Sequence, residues 1–383
     1  MEKSDYSFYD RHYNFIMSTA GFFITKKLAF SGEALPDDVG PMFVLCNHNT
    51  DFDFLLLASV FDGKLDFVAT ETMLRMGPVS ELAAKKFNPI LHDKGSNGTA
   101  TIKQIVKRIK DGRNVLLFPE GNRSFDGRPG EISPAISKIA KLTGCSLVVY
   151  RLTGGYLTTP RWGRGIRKGR MNGRMTAVLS PREVAEMPAD RLQKLIVDAL
   201  RTDAYQEQKE DPVRFRFGAK AEYLESLLFI CPSCKKAGTL RSKGDKVFCD
   251  CGYSLTMDDY GYLCDEKRDK LSVAEAFADQ GGLLKEMVEK APEEMIWSDD
   301  VNVIKLKANH NIVAKEKVLL RTFKDKLLVN DVAVTKDRIT SIDIVQRNRL
   351  IIHVKNSDFR YEITAGKTFN AVKYRIWYEI SFA

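Results

Sequence analysis

The sequence predicts an α/β fold for its first half, a sheet flanked by helices, followed by a small four-cysteine module and a mainly β domain. Three patterns predict this. Short apolar runs alternate with helical spacings up to about residue 225, the β-α-β-α order of a sheet covered on its faces. Four cysteines then crowd between positions 231 and 251. Beyond residue 296 the apolar residues recur with a period of two, as in half-buried antiparallel strands. The domains expected are 1–225, with the helix-flanked sheet and an N-terminal helix; 226–264, the cysteine module; 265–295, a helical connector; and 296–383, a small β-rich domain.

In chain order, Phe15, Ile16, Met17, Phe22, Phe23 and Ile24 lie in an uncharged run ending at Lys26 and Lys27. From His12 to Thr25 that run is too short to cross a bilayer, which needs about 20 residues. Two readings fit it: a buried N-terminal helix, or a helix lying in a membrane interface. Met42–Cys46 reads as a strand, 51–61 as a helix, and Leu65–Thr70 as a strand. A helix is expected over 99–109, a buried strand over 114–118, a helix over 133–142 and a strand over 146–152. The charged stretch 206–211, closed by Pro212, marks the start of a boundary region. A helix over 272–290 opens with Ser272 and Glu275, the spacing of a capping box. Alternation at 301–306, 341–344 and 349–354 predicts strands, and 370–382 a closing helix with Val372, Ile376, Trp377 and Ile380 on one face.

The bulk composition narrows the class. An apolar content of 44% is that of globular protein, which argues against wholesale disorder. The 59 Lys+Arg exceed the 50 Asp+Glu, giving a net charge of +9 that favours anionic partners: lipid headgroups, nucleic acid or phosphorylated substrates. Early acids at Glu2, Asp5 and Asp10, with no apolar core and cleavage site behind them, argue against a secretory leader. Without an export signal, the clustered cysteines read as a metal site, while Cys46, Cys145 and Cys264 read as small buried hydrophobes.

Two motifs carry chemistry. In Asn47-His48-Asn49-Thr50-Asp51-Phe52-Asp53, four residues separate His48 from Asp53 where a strand should end and a helix begin. An Asp in the first helical turn can reach back to one imidazole nitrogen, fix the tautomer, and leave the other nitrogen as a general base. The same acids also suit a helix N-terminus for its dipole alone. In Phe118-Pro119-Glu120-Gly121-Asn122-Arg123-Ser124, Pro119 and Gly121 shape a tight turn that brings Glu120 and Arg123 to a strand end. A guanidinium there suits bidentate capture of a phosphate.

Asn-His-x-x-x-x-Asp followed some 65 residues later by Phe-Pro-Glu-Gly-x-Arg-Ser resembles the glycerolipid acyltransferases, which include 1-acylglycerol-3-phosphate acyltransferases. The resemblance covers roughly residues 35 to 200. It implies a membrane-associated α/β enzyme on the cytoplasmic face, taking an acyl group from acyl-CoA or acyl-carrier protein to a lysophospholipid. His48 would deprotonate the acceptor hydroxyl and Asp53 would orient it. Glu120, Gly121 and Arg123 would belong to the acceptor-phosphate site. Two blocks depart from the family pattern. Asn88 to Lys94 has Asn88 and Lys94 where Gly and Arg are usual, so Lys94 would meet a phosphate only as a point charge. Leu147 to Arg151 lacks the usual closing Pro. No cofactor is expected for catalysis.

The basic stretch Arg161, Arg164, Arg167, Lys168, Arg170 and Arg174, with Trp162, Ile166 and Met171 among it, admits three readings: an anionic membrane surface, a solvated loop, or nucleic acid. Cys231-Pro-Ser-Cys234, then fourteen residues, then Cys249-Asp-Cys251 resembles a zinc ribbon, implying structural Zn²⁺ held by Cys231, Cys234, Cys249 and Cys251. The single residue inside the second pair leaves iron–sulfur or redox readings open. Residues 296–383 are similar in pattern to pleckstrin-homology-like domains. The rival reading of the whole is a non-catalytic zinc-ribbon protein that binds nucleic acid or a protein partner.

Overall fold

The computed structural model describes residues 6–36, 40–61, 63–75, 77–93, 98–265, 270–290, 294–307, 311–357, 359–367 and 369–380. Contacts divide the chain into two units, Met1–Pro160 with Gly165–Arg216, and Arg161–Arg164 with Phe217–Ala383.

The first unit begins with α1 (Ser7–Ile16) and α2 (Phe22–Lys27), joined by a π-helical turn over Met17–Gly21. Strands β1 (Phe30–Gly32) and β2 (Met42–Cys46) precede α3 (Asp53–Ser59) and β3 (Leu65–Thr70). Next come α4 (Pro78–Phe87), β4 (Ile90–His92), α5 (Thr99–Lys110) and β5 (Asn114–Leu117). The unit closes with α6 (Ile136–Thr143), β6 (Ser146–Thr153), α7 (Gly155–Thr158), β7 (Met171–Leu179), α8 (Pro181–Glu186), α9 (Ala189–Leu200) and α10 (Ala204–Glu210).

The strands form one sheet in the order β1-β7-β6-β2-β5-β3-β4. From β6 to β4 every neighbouring pair is parallel, and β7 runs antiparallel to β6. Strand β2 lies between β6 and β5 with all five residues buried, which is why it reads as an unbroken apolar run. One face packs Phe43, Leu45, Val115 and Val149 against Ile105, Ile136 and Ile196. The other packs Val44, Cys46, Leu116 and Tyr150 against Leu57 and Phe61. The chain therefore turns at the end of β2 in the sheet's centre, where open α/β sheets bind ligands.

Several boundaries differ from the sequence reading for local reasons. The helix expected from residue 51 starts at Asp53, because the Thr50 hydroxyl accepts from Phe52 N and the Asp53 carboxylate folds back onto earlier amides. The helix expected from residue 133 starts at Ile136, since the Ser133 hydroxyl accepts from Ala135 N. Cys46 and Cys145 are buried as expected, but Cys264 is only half-buried.

In the second unit, β8 (Leu240–Lys243), β9 (Lys246–Cys249), β10 (Ser254–Met257) and β11 (Leu263–Cys264) form an antiparallel sheet; Cys249 and Cys251 lie where β9 turns into β10, and Cys231 and Cys234 in a turn ahead of β8. Helix α11 (Val273–Lys290) follows, and its capping box is complete: the Glu275 carboxylate accepts from Ser272 N at 2.8 Å, and the Ser272 hydroxyl accepts from Glu275 N at 3.1 Å.

The mainly β remainder is a seven-stranded antiparallel sheet of β12 (Trp297–Lys307), β13 (Ile312–Thr322), β14 (Lys326–Val329), β15 (Val332–Thr335), β16 (Ile339–Val345), β17 (Arg349–Val354) and β18 (Phe359–Thr364). Its order, β15-β14-β13-β12-β18-β17-β16, is two meanders joined through their outermost members. With α12 (Val372–Ile380) closing the chain, this is the mainly β region with a final helix that the sequence pattern predicts. Helix α12 buries Val372, Lys373, Tyr374 and Trp377, not the face through Ile376 and Ile380 expected from sequence. Asp299 makes this possible by pairing with Lys373 at 2.6 Å and accepting from the Tyr374 hydroxyl.

Candidate active site

The turn after β2 is built around one carboxylate. Asp53 is fully buried and accepts four hydrogen bonds: His48 Nδ1 at 2.8 Å, Asn49 N at 2.7 Å, Thr50 N at 2.9 Å and the Thr50 hydroxyl at 2.6 Å. These bonds pin the imidazole by its Nδ1–H, and among the described residues no partner is found for Nε2. The ring lies stacked on Phe118, centroids 4.4 Å apart and planes 19° from parallel, with a quarter of the side chain exposed. Asn47 fixes the strand end from behind, donating to Leu152 O and accepting from Leu152 N across to β6. Such an arrangement leaves an oriented nitrogen base facing outward at the C-terminal end of a central strand.

The second motif braces the first. Glu120 accepts from His48 N at 3.2 Å and from Gly130 N at 3.0 Å, and Ser124 N donates to His48 O at 3.3 Å. Burial pushes the Glu120 carboxyl up to about 7; the two amides oppose that shift and the Asp53 charge adds to it. Gly121 turns in the left-handed region at φ +66°, the conformation that favours glycine here. Arg123 is nearly buried and every guanidinium nitrogen is engaged: Nε with Asn49 O at 3.0 Å, one terminal nitrogen with Thr159 O, and the other with the exposed Asp51 carboxylate at 2.8 Å.

Residues 27–152 match the family model described as acyltransferase. The chloroplast 1-acyl-sn-glycerol-3-phosphate acyltransferase LPAT1 of Arabidopsis thaliana is 28% identical over 136 residues, 35% of this chain and 38% of that protein. Its Brassica napus counterpart BAT2 is 29% identical over 136 residues, 35% of this chain and 39% of that one. The chain therefore spans under two-fifths of the length of these relatives. The crystal structure of the 1-acyl-sn-glycerophosphate acyltransferase PlsC from Thermotoga maritima aligns with 50% of this chain and 76% of its own, at 20% identity and a TM-score of 0.41. Residues 27–152, about a third of the chain, are therefore similar to the acyltransferases.

Within this acyltransferase domain, His48, Asp53, Glu120, Gly121 and Arg123 are brought together at the ends of β2 and β5, while Lys94 lies outside the described residues. The sequence carries no signal for Gly155. A Cβ there would stand 2.7 Å from Asn49 Cβ and 3.1 Å from the Thr50 methyl, so the turn after β2 packs directly on the first residue of α7. Asp51 reads from sequence as a helix-terminal acid; its pairing with Arg123 depends on a contact 72 residues away in sequence. Strand β6 runs to Thr153 without the family's proline, and Arg151 there donates to the carbonyls of Asp198 and Ala199 at the end of α9.

The basic stretch is corrected as a single cationic surface. Arg161, Trp162 and Arg167 are buried, so the only aromatic side chain among the cations is turned inward, and only Arg164, Lys168, Arg170 and Arg174 remain exposed. Of these, Arg170 pairs with Asp211. A cleft of about 610 Å³ beside β6, β7 and α10 is lined by Arg151, Arg174, Arg201, Asp203, Glu207 and others. Its lining of both charge signs suits no acyl chain, and His48 is not part of it.

Proposed function

We propose that the chain transfers a fatty acyl group from acyl-CoA or acyl-carrier protein to the hydroxyl of lysophosphatidic acid or a related lysophospholipid, forming phosphatidic acid or an analogue. The observation that carries this reading is the 2.8 Å bond between His48 Nδ1 and a fully buried Asp53. With Nδ1 donating to Asp53, Nε2 accepts the proton of the acceptor hydroxyl as its oxygen attacks the thioester carbonyl. Collapse of the tetrahedral adduct breaks the C–S bond, and the imidazolium returns the proton to the leaving thiolate. Asp53 acts by holding the tautomer and offsetting the transient positive charge, a base contribution typically worth about 10²- to 10⁴-fold in rate.

In this reading Arg123 holds the acceptor's phosphate, and its outward nitrogen, paired with Asp51, is the one that would meet it. The phosphate has to displace that exposed carboxylate, whereas the bonds to Asn49 O and Thr159 O keep the guanidinium plane set throughout. Glu120 and Gly121 serve this site indirectly, by shaping the turn and tying it to the His48 backbone.

The first unit would work at a lipid surface, attached peripherally to the cytoplasmic face of a membrane. Phe8, Phe15, Phe22 and Phe23 of the N-terminal helix are about half or more exposed, next to Lys26 and Lys27. Among the described residues, no helix is long and apolar enough to cross a membrane. An aromatic face beside cations is what an interfacial helix needs. The reading assigns 1–225 to catalysis and attachment, and 226–264, 265–295 and 296–383 to accessory modules.

The test is acyl transfer in vesicles with labelled acyl-CoA and acyl-carrier protein, against lysophosphatidic acid, other lysophospholipids and glycerol 3-phosphate. Transfer that vanishes in His48→Ala supports the reading and names the acceptor. No transfer by folded protein, together with salt-dependent binding to DNA or RNA, would replace it with the nucleic-acid-binding alternative.

A further inference from the structure

We infer that Cys231, Cys234, Cys249 and Cys251 form a closed tetrathiolate site for one zinc ion, and that this ion is the main bond holding the cysteine-bearing turns of the second unit together. None of these cysteines takes part in the proposed acyl transfer.

The geometry is that of a metal cage. The four sulfurs all lie within 4.8 Å of one another. Cys231 Sγ is 3.6 Å from Cys251 Sγ, and Cys234 Sγ is 3.8 Å from Cys249 Sγ. A tetrahedron with Zn–S bonds of about 2.3 Å has S–S edges of about 3.8 Å. A disulfide needs about 2.05 Å, so neither pair is bonded sulfur to sulfur.

The turns are shaped to receive such an ion. Cys231 O accepts from Lys235 N and Cys231 N donates to Lys236 O, with Lys235 in the left-handed region at φ +57°. Opposite it, Cys249 N donates to Tyr253 O and Gly252 N to Cys249 O. Backbone amides then point at sulfur: Ser233 and Cys234 toward Cys231, Lys236 toward Cys234, and Cys251 toward Cys249. Amides aimed at sulfur stabilise thiolate ligands, as outer partners do at other metal sites. Lys235 and Lys236 lie beside a centre whose formal charge, four thiolates and one divalent ion, would be −2.

Four sulfurs fill the tetrahedron and leave no position for water or substrate, so the ion is structural. Its load passes into α11. Gln280, almost fully buried, accepts from Phe229 N and Ile230 N and donates to Leu227 O, fixing the backbone immediately before Cys231. The short strands around the site bury only a few apolar residues of their own, among them Leu240, Val247 and Leu255. A module with so small a core depends on the ion for its fold.

The test uses the full chain purified under reducing conditions. Elemental analysis is expected to give one zinc per chain, and an organomercurial that titrates thiols is expected to release that equivalent into a colorimetric chelator. Replacement by cobalt should give the visible absorption of a tetrahedral thiolate complex. Cys46, Cys145 and Cys264 serve as internal controls: chelation should speed alkylation of the four ligand cysteines while leaving Cys46, which is fully buried, unchanged. Cys251→Ser, at the exposed ligand, should lose most of the metal and loosen residues 231–252 while the first unit stays folded. Absence of bound metal, iron in place of zinc, a Cys231–Cys251 disulfide in the native protein, or full zinc content in Cys251→Ser would each overturn the proposal.

Discussion

At the end of β2 a buried carboxylate is gathered by four donors from its own turn, whereas four sulfurs in the second unit lie within 4.8 Å of one another with amide N–H groups as their outer partners. The first centre is complete in its own hydrogen bonds: every acceptor site of Asp53 that matters is filled, and the imidazole is already aimed. In the second centre, on the zinc proposal, four thiolates would carry like charges that a cation balances. Backbone hydrogen bonds can preorganise a base for chemistry; thiolates crowded this closely organise around an ion. The difference teaches where each half of the chain should fail.

The largest effect should come from His48→Ala, with acyl transfer falling about 10²- to 10⁴-fold while thermal unfolding is unchanged, read by initial rates and calorimetry. If activity survived, the first centre would be structural and the contrast with the cysteine site would collapse. Chelation should next separate the two halves. Amide exchange is expected to accelerate in 231–252 and to stay slow at Asn49 and Thr50, because their amides are held by Asp53 and not by metal. Asp53→Asn should destabilise the first unit by about 1–3 kcal/mol, since an amide NH₂ would face donors. It should also cut kcat more than it raises KM, as judged by chemical denaturation and steady-state kinetics.

A smaller effect concerns Glu120. Its folded-state pKa of about 7 lies above the ordinary 4.5, so folding favours the protonated form. The stability this provides is full below the unfolded value and is lost as pH rises through about 7. Denaturation from about pH 5 to about pH 8 should therefore narrow the margin of wild type over Glu120→Gln. Smallest is Asp51→Asn, which removes the carboxylate competing for Arg123. It should lower KM for phosphate-bearing acceptors several-fold with kcat little changed, and leave uncharged acceptors unaffected. A rise in KM would show that Asp51 helps to hold the site.

Much of this was legible in the residues. The buried apolar run of β2 and the polar Asn47-to-Asp53 segment behind it mark a strand end, and Phe118-Pro119-Glu120-Gly121 marks a turn, so the meeting of His48 with Asp53 could be read from spacing. What spacing could not reveal was the orientation of the other charges. Arg123 reads as a phosphate ligand, yet two of its nitrogens are spent on backbone carbonyls, because a turn carries no record of which way its side chains point. Trp162 among six cations reads as an interfacial anchor, yet it is buried, since local composition says nothing about which residues tertiary packing removes from water. The alternation of the C-terminal strands was legible, whereas the inward turn of Lys373 and Tyr374 required Asp299, 74 and 75 residues away.

The N-terminal helix is fastened to the sheet, not hung from it. Asp10 pairs with Arg113 at 2.9 Å and Lys64 at 3.1 Å, Tyr6 donates to Asp111 at 2.8 Å, and Tyr13 is set against the rings of Phe54 and Phe87. A foot bolted on in this way transmits torque. Were its phenylalanines to settle into lipid, the sheet would be held at one angle to the surface and could not swivel beneath it. The turn bearing His48 would then sample a single depth in the headgroup layer, and the reach of the acceptor's hydroxyl to that depth would sort one lipid from another.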